Sequence, residues 1–184
     1  MTVIRGKVHK YLGMTLDYTV HGKFQITMLD FLDELLTDFD KAEPKGGGTK
    51  TSAAPENLFK VDEDCEKLPH NKTVQFHNLV AKTLYATKRD RPETCTSVAF
   101  LTTRVLAPDL DDWAKMVHMM RYIIGTRMLP LILSSNGSGI LKWWVDASFD
   151  VHSNIQGNSG GKFSLRRGFP HQQNHHVDHL ILIV

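Results

Sequence analysis

Three groups of residues in this chain carry side chains suited to chemistry. The first is acidic. In "KWWVDASFD", Lys142 to Asp150, two tryptophans and a valine lead into a carboxylate at Asp146. A strand holds such an acid at a fixed height, and a hard divalent ion prefers carboxylate oxygens. Such a site needs several acids. After Asp146 the chain offers only Asp150 and Asp178, and its last glutamate is Glu93. The same Asp146 also suits an exposed strand end that opens the Ala-Ser turn. The second group is basic: Lys88, Arg89, Arg91 and Arg104 surround the helix break "KRDRPE". They can neutralise phosphates or serve as solvated helix ends. The third is imidazole. His171, His175 and His179 recur every four residues with His176 beside them. On a helix opened by Pro170 they would share a face and could bind a transition metal. "HLILIV" favours a strand instead.

The elements that would position these groups follow from spacing. Residues 8–28 read as a β-hairpin turning at His21-Gly22, where Gly supplies positive φ. Gly13 falls inside its first strand, where a glycine marks a bulge or a close backbone approach. Residues 29–39 form a helix, with Asp30 as its cap and Phe31, Leu32, Leu35, Leu36 and Phe39 on one face. Residues 40–70 are rich in Gly, Pro, Ser, Thr and charge, the composition of a linker or extended arm. Leu58, Phe59 and Val61 are its one anchoring point.

Helical spacing returns with Phe76, Leu79, Val80, Thr83 and Leu84. Pro92 breaks this helix, and Cys95, Val98, Ala99, Leu101 and Val105 resume the pattern. A third helix starts at Pro108-Asp109, capped by Asp109 or Asp111. Its stripe is Trp113, Met116, Val117, Met120, Ile123 and Ile124, and Gly125 stops it. Beyond lie strand-like runs at 128–133, 140–149 and 159–167, with Trp143 and Trp144 on opposite faces of the second.

Bulk properties exclude several classes. The chain has 184 residues, 41% of them apolar, and a net charge of +2. That basic excess is too mild to imply nucleic acid by itself. Cys65 and Cys95 share no metal or redox spacing and read as reduced thiols of an intracellular protein. No run approaches membrane-spanning length, so no membrane partner is expected.

The order of four short motifs resembles the reverse transcriptase of copia-type retrotransposons, from just after its polymerase site into the start of ribonuclease H. "KYLGM" resembles the family's Leu-Gly motif in the hairpin that grips the primer. Arg91-Pro92-Glu93 resembles its Arg-Pro-acid signature. "MRYIIGT" is similar to its Arg-Tyr-Leu-x-Gly-Thr, and "WWVDASFDVHSNIQGNSGG" to its entry into ribonuclease H.

The resemblance implies an α+β fold. Residues 1–39 would end the palm and thumb, 40–72 would be a flexible linker, and 73–127 a three-helix connection. Residues 128–170 would form a truncated ribonuclease-H-like antiparallel sheet, and 171–184 a divergent tail. It implies that Tyr11, Leu12, Gly13, Lys88, Arg89, Arg91 and Arg104 contact nucleic acid, an RNA–DNA hybrid or template–primer, alongside the remainder of the polymerase. Asp146 would match the first metal-binding aspartate of ribonuclease H. Mg²⁺ belongs to the full-length context, with none expected to bind tightly here. The polymerase's paired aspartates would precede Met1, so a polyprotein fragment, inactive alone, is expected. It would reside in a cytoplasmic particle or the nucleus. Two alternatives stay open: a minimal ribonuclease H centred on Asp146, and a relic with an incidental His-rich metal-binding tail.

Overall fold

Gly13 decides the first element. The computed structural model describes residues 5–43, 46–134, 142–148, 158–164 and 180–183. Strands β1 (Val8–Tyr11) and β2 (Met14–Asp17) pair antiparallel with Tyr11 opposite Met14. Leu12 and Gly13 remain as a two-residue turn with φ of +49° and +78°. Two consecutive positive φ values are the mark of the I′ turn, whose twist matches that of paired strands. The tight turn therefore sits at Leu12-Gly13, inside the stretch expected to be one strand. The expected turn at His21-Gly22 closes a second, longer connection into β3 (Lys23–Thr27).

The far edge of β3 pairs with β4 (Leu131–Ser134), Ile26 opposite Leu131. The sheet order is β1-β2-β3-β4, antiparallel throughout. The run at 128–133, grouped from sequence with the following sheet, thus joins the hairpin at the N-terminal end. Strand pairing is decided by which edge is nearest, and local pattern does not encode that.

Between β3 and β4 stand four helices: α1 (Leu29–Ala42), α2 (His70–Thr87), α3 (Cys95–Arg104) and α4 (Leu110–Thr126). The stripes expected from helical spacing are the buried ones. Phe76, Leu79, Val80, Val98, Leu101, Met116, Met120 and Ile123 share a core with Leu32, Leu35 and Phe39 of α1. The connection is therefore a four-helix core, because α1 lays its apolar face on α2 and α4. Lys82 of α2 adds ion pairs to Glu34 (2.6 Å) and Asp38 (2.7 Å) of α1. Asp30 does not cap α1. The N-cap is Met28, and Asp30 meets Lys10 at the surface instead. Asp109 does cap α4, in a reciprocal box with Asp112.

The sequence predicts a flexible linker over 40–72; its two ends belong to α1 and α2, and residues 46–69 lie between them. They form a strap laid across the helices. Ala53, Leu58 and Leu68 are buried, and Phe59 meets Phe100 edge-on at 5.8 Å. Thr49 donates its amide to Arg121 O (2.9 Å), Ser97 Oγ donates to Ala53 O (2.9 Å), and the Leu68 amide donates to Pro108 O (2.9 Å). Polar composition misleads here because the strap is held largely through its backbone. It crosses α4 at Gly48 and Gly125. A Cβ built on Gly48 would overlap the Gly125 backbone, and one on Gly125 would overlap the Thr49 carbonyl. Gly125 thus lies within α4 as a crossing point and does not stop the helix.

The later strands β5 (Lys142–Ser148), β6 (Asn158–Ser164) and β7 (Leu180–Ile183) form an antiparallel sheet in that order. Asp146 stands opposite Gly160.

Gly125→Ala should lower stability by about 1–3 kcal/mol, the usual cost of forcing a group into a packed contact. It should also speed protease cleavage between residues 49 and 68. Urea unfolding and limited digestion measure both, and an unchanged midpoint with an unchanged digestion pattern would remove the crossing from this account.

Candidate nucleic-acid interface

The four cations around the helix break have different fates. The amides of Arg89, Asp90 and Arg91 all converge on the Ala86 carbonyl, which ends α2 and turns the chain sharply. That turn carries Arg91 inward, where its side chain is 1% exposed. Its Nε donates to Glu93 Oε1 (2.6 Å), Nη1 to Thr126 O (3.1 Å) and Nη2 to Thr126 Oγ1 (2.5 Å). A buried guanidinium must find such partners because desolvation is costly. Arg104, half-buried, is also paired. Its Nε donates to both oxygens of Asp112 (3.1 and 3.0 Å), and Nη2 donates to Asp109 Oδ2 (3.1 Å). Both arginines are thus held by partners within the fold.

Lys88 and Arg89 differ. Lys88 is exposed and Arg89 half-buried. Neither has a carboxylate partner among the ion pairs of the described residues. The Arg89 guanidinium lies 3.6 Å over the Tyr85 ring, and its Nη1 donates to Tyr85 O (3.1 Å). The four-residue spacing on one helix face brings this pair together.

Tyr85 joins this cation to the hairpin. Its hydroxyl donates to Leu12 O (2.9 Å) across 73 residues of sequence. Phe31 also packs against the ring, 5.0 Å between centroids. At the tip Tyr11 is 61% and Leu12 55% exposed. Of the residues singled out from sequence, the structure therefore brings together Tyr11, Leu12, Gly13 and Arg89, with Lys88 next in the chain. It separates Arg91 and Arg104 from them. Tyr85 was missed: nothing in the sequence marks a half-buried helical tyrosine as a hairpin contact. Its one signal is the i, i+4 spacing to Arg89.

Asp146 lies on β5, whose backbone is described. Its expected companions Asp150 and Asp178 lie outside the described residues, as do His171, His175, His176 and His179. Among the described residues no group of three or more His, Cys, Asp or Glu side chains could hold a metal ion. Among them also, no helix is long and apolar enough to cross a membrane.

Over 166 residues the chain is 22% identical to a putative transposon Ty5-1 protein of Saccharomyces cerevisiae, a match covering 90% of this chain and 52% of the yeast protein. The chain is related to a transposon protein. It spans about half the length of that relative. No protein-family model matches the chain, and no solved structure does.

Next in the chain after Lys88 and Arg89 comes Asp90. It is buried, and its Oδ2 accepts the Met28 amide (3.2 Å) at the junction of β3 and α1. Oδ1 has no well-formed hydrogen bond. Burial pushes the carboxyl up to about 6, against the Arg91 charge and the Met28 amide, which hold it down. The folded state therefore binds this proton more tightly than the unfolded chain, whose aspartate titrates at about 3.9. Asp90 should cost stability as pH rises from about 4 to about 6, roughly 2–3 kcal/mol in all, with no further change above that. Asp90→Asn keeps an acceptor for Met28 and removes the titration. The difference between the two stability–pH curves, by chemical denaturation, should show that fall; parallel curves would place the group outside this environment.

Proposed function

We propose that this chain is part of a retrotransposon RNA-directed DNA polymerase and ribonuclease H polyprotein, and that it helps to hold an RNA–DNA hybrid or template–primer. The observation that carries the reading is one juxtaposition. Through Tyr85, an exposed apolar hairpin tip is joined to Arg89, which, like Lys88 before it in the chain, has no carboxylate partner among the described residues. Lys88 and Arg89 would meet phosphates, a sequence-independent contact whose strength falls with salt. Tyr11 supplies an exposed ring on which a base can stack. The 22% identity to a transposon protein supports the element, and the order of motifs from "KYLGM" to "WWVDASF" supports the polymerase and ribonuclease H assignment.

No hydrolytic step is assigned to Asp146. Two-metal phosphodiester cleavage takes several acids that hold the ions a few ångströms apart. Mg²⁺ would complete that chemistry only where further carboxylates of the full-length polyprotein join Asp146. The chain alone should leave an RNA–DNA hybrid intact in Mg²⁺. Cleavage that Asp146→Asn abolishes would make it a minimal ribonuclease H instead.

Binding can be followed with a labelled hybrid as a function of salt. Lys88→Ala with Arg89→Ala should weaken binding about tenfold and reduce the salt slope by nearly two, one for each lost phosphate contact. Arg104→Ala should lower stability and leave the slope alone. A wild-type chain without salt-dependent binding, or an Arg104→Ala slope that falls as far as the double variant's, overturns the proposal.

A further inference from the structure

Leu12 is an unfavourable residue for its position. It takes φ +49° at the first central position of the turn, where Asn or Asp is the preferred residue. A γ-branched apolar side chain has no local hydrogen bond to offset the left-handed backbone. Gly13, at φ +78°, meets its half of the requirement at no steric cost. The turn is thus half specified by its own sequence. What holds the other half comes from α2: the Tyr85 hydroxyl donates to the carbonyl of Leu12 itself (2.9 Å). The tyrosine ring in turn touches both Phe31 and the Arg89 guanidinium.

We propose that Tyr85 is the positioning residue of the hairpin tip, and that Arg89 couples its placement to the bound strand. This rests on the reading that the tip faces nucleic acid. Arg89 gives one face to Tyr85 and one N–H to the Tyr85 carbonyl. A guanidinium has five N–H donors in a planar fork, so its edge can take a phosphate while its face stays on the ring. A phosphate there immobilises Arg89, which fixes Tyr85, which holds Leu12. Strand binding and presentation of Tyr11 and Leu12 then reinforce each other.

Hydrogen exchange on the full chain tests the positioning without any ligand. Tyr85→Phe removes only the hydroxyl. It should raise exchange at the amides of Tyr11 and Met14, the pair that closes the turn, about fivefold, the worth of one hydrogen bond, with α2, α3 and α4 unchanged. Leu12→Asn, which suits the turn by itself, should restore slow exchange in that background. Exchange that Tyr85→Phe leaves alone, or that Leu12→Asn fails to restore, overturns the positioning role. The second arm uses a fluorescein-labelled RNA–DNA hybrid. Tyr85→Phe should weaken binding about fivefold with the salt slope unchanged, since no phosphate contact is lost. Hybrid should slow turn exchange in the wild type and not in Arg89→Ala; equal slowing in both overturns the coupling. If the wild type binds no hybrid, the nucleic-acid reading and the coupling fall, while the exchange arm still decides the role of Tyr85.

Discussion

Two adjacent charges, Asp90 and Arg91, hold the layers of this protein to one another. Asp90 accepts the Met28 amide where β3 passes into α1, and Arg91 grips Thr126 at the end of α4. Both side chains are removed from water, so each must be met by partners inside. That requirement leaves the loop after α2 one place to sit, and the convergence of three amides on Ala86 lets it turn there. With the end of α4 tied down, the chain re-emerges within reach of β3, and β4 closes the sheet. The polar loop thereby joins the sheet to the helical core.

The strap is a second constraint of the same kind, imposed by space where the first is imposed by charge. It lies over α4 because Gly48 and Gly125 remove the side chains that would hold the backbones apart. Its buried residues, Ala53, Leu58 and Leu68, are few, and backbone hydrogen bonds to Arg121, Pro108 and the Ser97 hydroxyl do the rest. Such a segment can be polar in composition and still belong to the core structure.

These commitments shape the surface that remains. Arg91 and Arg104 are consumed by Glu93, Thr126, Asp109 and Asp112. Lys82 is consumed by two acids of α1. What stays available beside the hairpin is Arg89 on its tyrosine, with Lys88 exposed next to it. A net charge of only +2 therefore says little about whether a surface can take phosphate, since that depends on which cations lack partners more than on their total. That a relative of a transposon protein carries such cations next to an exposed aromatic accords with the nucleic-acid role proposed for it.

Periodicity by itself determined much of this protein. The buried stripes of α2, α3 and α4, the Asp109 cap and the alternation of helices with strands are local matters, set by side chains three and four residues apart. The anchoring of Leu58, Phe59 and Val61 was also legible, as apolar residues in a polar stretch. The tertiary structure decided what depends on distant partners. It moved the tight turn to Leu12-Gly13, where a tyrosine from α2 supports a leucine in a left-handed conformation. It gave β4 to β3, turned an expected linker into a strap, and placed Gly125 at a crossing inside a helix. It also gave acidic partners to Arg91, which is buried, and to Arg104, which is half-buried, while Lys88 and Arg89 have none among the ion pairs of the described residues. Residue type states that an arginine carries a charge; whether that charge meets a carboxylate or solvent depends on where the rest of the chain has packed.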